Sequence, residues 1–374
     1  MKRIISVFPV FVLLLFSSCS GRNSVKSPGL KQEPPLTVSA FPDRSRSEPP
    51  TGENAGRVTI GFSVATDTFI IERWNKDVKI FSGAAQELGA NVIVQLAAGG
   101  TKEQIAQINY LVNQNIDILV VIANDTDMLA GVIKEIRDEG IPVIAYDRLI
   151  MGVPIDAYIS FDSAGVGRYY GQALIEAVPR GKYLVVNGSV HDVNSFQISA
   201  GLHEVLDPYI EKKDIQLVKE IWLEEWSFDE GLKKIGEIFE ETTDFDAIAC
   251  GNDQIAGAAI QLLSERRLAG EVIVVGQDAE LMSCQRVIEG SQFMTVYKPI
   301  GKLAPRAAQL AVAMAENKTI PCDLFFDNQS GVMIPSYIEE PIAVYKHNMD
   351  VVIHDGFHSY EDVYRNVMSG VINN

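Results

Sequence analysis

Charged, amide and indole side chains gather at a few points in this sequence, each just after an apolar run. They are Glu72-Arg73-Trp74, Asp147-Arg148, Asp162, Asn194, Trp226, Asn252-Asp253, Gln277-Asp278 and Lys298. Planar carboxylate, amide and guanidinium groups can bind neighbouring hydroxyls in pairs, because each hydroxyl both donates and accepts. An indole face suits the apolar C–H face of a sugar ring. Singly, each residue has a plainer role. Asp and Asn after a strand commonly cap helices, Arg73 suits a solvated helix surface, Trp226 a core, and Lys298 an exposed helix start. Their recurrence at one edge of the predicted sheets favours a binding site for a pyranose. Asp147 beside Arg148 could in principle be a catalytic pair, but no nucleophile, base and orienting group occur together. Neither a Gly-x-Ser-x-Gly elbow nor a phosphate-binding loop is present.

Such residues need rigid elements to hold them. From Val58 onward, apolar β-rich runs read Val58–Ala65, Asn91–Ala97, Ile118–Ala123, Pro142–Tyr146, Ala157–Phe161, Lys182–Asn187, Ile215–Trp222, Ala247–Cys250, Val272–Gly276 and Gln292–Tyr297. Amphipathic segments such as Glu72–Leu88, Lys102–Asn115 and Phe228–Glu241 lie between them. Continuous apolar strands alternating with helices predict parallel sheet buried on both faces. About ten strands suit two doubly wound, Rossmann-like α/β domains better than one sheet. In open sheets of this kind ligands bind beyond the carboxyl ends of the strands, where the polar residues above fall.

Gly165-Val166-Gly167 with Gly171 resembles a dinucleotide fingerprint, but its last spacing is one residue too long. No acidic residue closes a following strand at the expected place, so no cofactor is expected and the glycines read as helix-packing positions. His354 and His358 are four apart without the Glu of a zinc-protease helix, and no metal site is expected.

The chain opens with Met1-Lys2-Arg3, an apolar run from Ile4 to Phe16, small residues and Cys19. The run is too short for the roughly 20 residues of a membrane helix and reads as an export signal. Phe16-Ser17-Ser18-Cys19 resembles a bacterial lipobox, with Phe where Leu is usual; residues 1–19 are then a lipoprotein signal and Cys19 its lipidation site. The rival is simple cleavage near Ser18 or Ser20. Residues 20–56, rich in Pro and Ser without apolar period, predict a disordered tether.

The net charge of −17, from 32 Lys and Arg against 49 Asp and Glu, argues against nucleic acid as a partner. With 47% apolar and 22% charged residues, the chain is globular and not a multispan membrane protein. Four cysteines are too few for a disulfide scaffold. Cys250, Cys284 and Cys322 remain beside Cys19; one disulfide is open, and Cys250 reads as a buried apolar side chain.

The stretches Glu72-Arg73-Trp74, Ala145-Tyr146-Asp147-Arg148, Tyr158-Ile159-Ser160-Phe161-Asp162, Gly276-Gln277-Asp278-Ala279, Met294-Thr295-Val296-Tyr297-Lys298-Pro299 and Asp355-Gly356-Phe357-His358 resemble the type I periplasmic sugar-binding proteins, in particular the D-xylose-binding branch. The likeness spans about residues 58–358 in the same order and spacing. It implies two lobes joined by three crossovers and closing on one monosaccharide, with Arg73, Trp74, Asp147, Arg148, Asn194, Trp226, Asn252, Asp278 and Lys298 as ligand contacts. The crossovers would fall near Asp162–Gly165, Tyr297–Lys298 and Ser330–Ser336. That divides the chain into an N-terminal lobe of 57–162 plus 298–329, a C-terminal lobe of 163–297 plus 330–358, and a tail of 359–374. Val190-His191-Asp192-Val193, where the family loop is richer in Pro and Asn, departs from the pattern beside the pocket, and His191 is a candidate extra contact.

The resemblance implies a monomeric, lipid-anchored binder that delivers its sugar to an ABC importer permease and is not an enzyme. A membrane sensor that docks the same closed lobes on a chemoreceptor or histidine kinase is the rival, as are glucose, galactose or ribose as the ligand.

Overall fold

A computed structural model describes residues 57–65 and 71–367, with the side chains of Ile71 and Glu72 outside that description. Cys19, the export signal and the tether lie outside the described residues.

In the first lobe, β1 (Thr59–Ala65), α1 (Ile71–Glu87), β2 (Asn91–Ala97), α2 (Gly100–Asn113), β3 (Ile118–Ile122), α3 (Ala130–Asp138), β4 (Val143–Tyr146) and β5 (Ala157–Phe161) alternate along the chain. The strands lie parallel in the order β2-β1-β3-β4-β5. Side chains of β3 show why its sequence is apolar throughout. Ile118, Val120 and Ile122 join one core with Ile60, Phe62 and Val64 of β1, while Leu119 and Val121 join a second on the other face. A strand covered by helices on both faces has no solvent side to spend on polar residues.

The second lobe repeats the plan with α4 (Ser163–Ala177), β6 (Gly181–Ser189), α5 (Val193–Glu211), β7 (Ile215–Leu223), α6 (Phe228–Glu241), β8 (Ala247–Cys250), α7 (Asp253–Glu265), β9 (Ile273–Gln277), α8 (Leu281–Glu289) and β10 (Met294–Tyr297). Its parallel order is β7-β6-β8-β9-β10. In both sheets the order reverses beside the lobe's first strand, between β1 and β3 and between β6 and β8, and at such switch points the strand ends leave a crevice. Helix α6 shows how the sequence directs a helix. Ser227 caps it by accepting from the Glu230 amide at 3.3 Å, Asp229 and Glu230 fill the first turn, and Ile235, Ile238 and Phe239 form the buried stripe. The glycines that resembled a nucleotide fingerprint lie in α4 against α5. A Cβ on Gly167 would sit 1.9 Å from the Ile198 carbonyl oxygen, so the two helices meet backbone to backbone there.

Three strands carried no clear sequence signal: β11 (Leu324–Asp327), β12 (Met333–Glu339) and β13 (Ile342–Val344). They correct the expected boundaries. β12 pairs in parallel with β5, Ser336 opposite Tyr158 through Glu339 opposite Phe161, and β11 flanks it antiparallel. Residues 330–339 therefore belong to the first lobe. The third crossing falls between Glu339 and Ile342, where β13 joins β10 of the second sheet, and not at Ser330–Ser336. Pro335 inside β12 reads as a strand breaker, yet it lies one residue before the pairing with β5 begins at Ser336, outside that ladder.

The other crossings follow Phe161 and Tyr297, the ends of β5 and β10. The expected tail is also corrected in its described part. Val363, in the short helix Tyr360–Val363, is buried with Val287 and Ile288 of α8 and with Val352 of the helix Asp350–His354, so residues beyond 358 pack onto the second lobe. Cys250, Cys284 and Cys322 are free thiols, the first two buried.

Candidate functional site

The strand ends of both sheets converge on one gap. In the first turn of α1, Arg73 and Trp74 project after β1. Asp147 follows β4 with a positive φ of 63°, a conformation Asp tolerates better than most side chains. Its carbonyl is held by the Tyr158 and Ser160 hydroxyls at 3.1 and 2.8 Å. Arg148 donates to the Ala123 carbonyl at 3.0 Å, fixed against the end of β3. From the second lobe, Asp192 caps α5 by accepting from the Asn194 amide at 2.9 Å. Trp226, after β7, lies over Gly188, where any Cβ would meet its ring at 2.1 Å. Gln277 ends β9 and donates to the Gly251 carbonyl at 2.9 Å. Asp278 follows with φ 96°, and Lys298 enters at the second crossing.

These groups tie the lobes together. Arg73 pairs with Asp147 on its own lobe and stands 3.5 Å from Asp278 on the other. Arg148 reaches Asp192 at 2.9 Å, and Lys298 lies 3.4 Å from Asp278. Asn194 donates to the Asp147 carbonyl and carboxylate, each at 3.2 Å. The Trp226 indole donates to Asp192 at 3.1 Å, while the Arg73 guanidinium lies 4.4 Å from the centre of the Trp74 ring. At the rim, the Thr126 amide and hydroxyl both donate to the His191 carbonyl, 3.2 and 3.1 Å away.

Burial alone would raise the Asp147 carboxyl, but Arg73, then Lys298 and Arg148, outweigh it and hold the group below the ordinary carboxylate range. Beneath them Asp77, which accepts from the Tyr146 hydroxyl, is pushed up to about 7 by burial, only partly offset by Arg73. Asp192 is also raised by burial, against the pull of Arg148.

The gap is narrow, with a free volume of about 20 Å³, and is lined by Arg73, Trp74, Asp147, Arg148, Asp192, Asn194, Trp226, Gln277, Asp278 and Lys298. Several buried polar atoms here have no protein hydrogen-bond partner: Arg73 Nε, Trp74 Nε1, Asn194 Oδ1, Gln277 Oε1 and Asp278 Oδ1. Unmet groups of this kind are costly, and their concentration in one place needs a reason. Donors and acceptors are both represented, as a polyhydroxylated ligand requires. A wider cleft of about 370 Å³, open to solvent, leads outward past Arg148 and Trp226 between Asn124, Asp125, His191 and Glu224.

Eight of the nine expected contact residues thus line one gap. Asn252 does not. It is fully buried and its Oδ1 accepts from the Ile255 amide at 2.9 Å to cap α7, while its Nδ2 has no hydrogen-bond partner. His191 lies half-exposed at the rim, 3.5 Å from Asp125 and 3.2 Å from Glu224, and not in the gap. Asp192 and Gln277 line the gap but were not among the nine, although Gln277 stood among the strand-end groups. Both stand at strand ends like the others, and that placement was the signal that could have found them.

A family model described as periplasmic binding protein domain matches residues 61–319. A D-xylose-binding periplasmic protein of Haemophilus influenzae is 41% identical over 308 residues, covering 82% of this chain and 92% of its own. Its counterpart from Escherichia coli is 40% identical over 313 residues, covering 83% and 94%. Among solved structures, a carbohydrate transporter solute binding protein from Chloroflexus aurantiacus, in complex with D-glucose, superposes with a TM-score of 0.76 at 24% identity, covering 82% of this chain and 98% of that one. That last likeness bears on the fold.

Proposed function

The chain belongs to the periplasmic binding protein domain family, and from that premise we propose that it is an exported receptor that captures a monosaccharide, D-xylose, between its lobes for an ABC importer. The observation that carries this reading is the charge balance of the gap. Arg73, Arg148 and Lys298 face Asp147, Asp192 and Asp278, three cations against three carboxylates. A site built to hold a phosphate or carboxylate ligand would carry an excess of cations. A balanced, hydrogen-bonding site with two buried indoles, Trp74 and Trp226, suits a neutral ring of hydroxyls with apolar faces. D-xylose is preferred among such rings because two relatives of 40–41% identity are named for it.

The mechanism is closure. Asp147 and Arg73 sit on one lobe, Asp278 and Trp226 on the other, so a ligand bridging them stabilises the closed arrangement alone. The receptor holds its sugar without changing it. Titration calorimetry of the purified chain against D-xylose, glucose, galactose, ribose and arabinose is the test. Micromolar affinity for D-xylose, about −8 kcal/mol, is expected, and saturating sugar should raise the melting temperature. Tighter binding of another sugar in the panel would reassign the ligand, while silence across all five sinks the reading.

The proposal includes a lipid at Cys19, whose acyl chains would hold the receptor at a membrane. Cys19→Ser should move the protein from the membrane fraction to the soluble one. Retention of the variant in the membrane fraction would dispose of the anchor.

A further inference from the structure

The segment Asp355-Gly356-Phe357-His358 is one of the stretches that carry the family resemblance, yet none of its residues lines the gap. Its surroundings give it a task. His358 is 8% exposed, and its Nε2 lies 2.8 Å from the carbonyl oxygen of Ala279. A carbonyl only accepts, so this nitrogen carries the hydrogen. Ala279 is the neighbour of Asp278, and both have positive φ, 96° at Asp278 and 48° at Ala279.

Two successive non-glycine residues in this region persist only where the surroundings over-determine them. Here they do. The Asp278 amide donates to the Val296 carbonyl at 2.8 Å, and the Ala279 amide to the Thr295 hydroxyl at 3.2 Å. The Glu280 amide donates to buried Asp253 at 3.1 Å. The carbonyl side of Ala279 is met by His358 and, at 3.4 Å, by the Cys284 thiol.

The same segment is clasped by the hinge and by the first lobe. Asp355 accepts from the Tyr297 hydroxyl at the end of β10. The Phe357 carbonyl accepts from Lys76 at 2.8 Å, and that ammonium lies 4.2 Å from the centre of the Phe357 ring. Lys76 is one turn beyond Arg73 on α1, so a single four-residue stretch touches the turn that presents Asp278 and the helix that presents its partner, Arg73.

We infer that His358 is a positioning residue: by holding the Ala279 carbonyl it fixes the left-handed Asp278–Ala279 turn and so aims the Asp278 carboxylate at the first lobe and the ligand. The inference rests on the receptor reading for its ligand but not for its geometry, and the test separates the two. Hydrogen exchange on the unliganded protein reads the turn without any sugar. In His358→Ala, the amides of Asp278–Glu280 should exchange about tenfold faster or more, with the strands of both sheets unchanged.

D-xylose titration then reads the consequence. His358→Ala should weaken binding by about tenfold, whereas His358→Gln, whose Nε2 reaches to a similar point with an N–H, should restore most of the affinity. Val363→Ala serves as control, since it loosens the same C-terminal packing without touching Ala279; it should lower the melting temperature and leave affinity unchanged. Unaltered exchange at Asp278–Glu280 in His358→Ala overturns the proposal, whatever the sugar result. So does a loss of binding in Val363→Ala equal to that in His358→Ala. A wild-type chain that binds none of the five sugars, with the exchange difference still seen in His358→Ala, refutes the receptor reading alone.

Discussion

Asp278→Ala should abolish D-xylose binding while the protein still folds. The carboxylate stands 3.5 Å from Arg73 and 3.4 Å from Lys298, distances that leave each cation able to turn to a ligand hydroxyl. Removing it leaves three cations facing two carboxylates among largely buried side chains. Deleting one member of a buried charged set at an interface costs about 2–5 kcal/mol, so affinity should fall by roughly two to three orders of magnitude. Alanine is strained at φ 96°, so Asp278→Asn is the companion variant: asparagine accepts such backbone angles and removes only the charge. Circular dichroism and calorimetry on both variants make the check. If both bind with wild-type affinity, the gap is not where the sugar sits.

Asp77→Asn should change how stability depends on pH. Burial pushes the Asp77 carboxyl from 3.8 up to about 7, and its Oδ2 has no hydrogen-bond partner. The raised value fixes the sign. Below pH 4 the group is neutral in folded and unfolded chains and costs nothing. From there to about pH 7 the unfolded chain releases the proton and the folded one retains it, so this group's contribution to stability falls as pH rises. At about 1.4 kcal/mol per unit, the full span from 3.8 to about 7 is about 4–5 kcal/mol, constant above pH 8. Every other titrating group is common to wild type and variant, so their difference isolates Asp77. Urea unfolding of both at pH 5 and pH 8 should show Asp77→Asn gaining on wild type by a few kcal/mol at the higher pH. Parallel profiles would mean that Arg73, 3.6 Å away, keeps Asp77 ionised throughout.

Much of this molecule was legible from local pattern. The ten apolar runs all became strands, with ends shifted by at most two residues, because a strand buried on both faces must be apolar along its whole length. Arg73, Asp147, Trp226 and Lys298 could be picked out because a doubly wound sheet exposes side chains for a ligand at one edge, and chain order says which residues follow each strand. What local pattern missed was non-local. β12 owes its place to pairing with β5, some 175 residues earlier in the chain; Pro335 argued against it, and no short-range signal argues for such a partner. β11 and β13 are short antiparallel edge strands whose hydrogen bonds, not their side chains, define them.

The site divides along the same line. By itself the sequence determined the two-lobed α/β plan and the inventory of carboxylates, guanidiniums, amides and indoles at strand ends, since apolar period and residue type are local properties. Only the tertiary structure decided how that inventory is used. It made the Asn252 oxygen a helix cap and brought Asp192 and Gln277 into the gap. It paired Arg148 with Asp192 across the lobes, and set His358 against a turn 79 residues away. The reason is physical: a polar side chain buried at a junction takes whichever partner the packing of distant elements brings within about 3 Å, and no short window of sequence contains both partners.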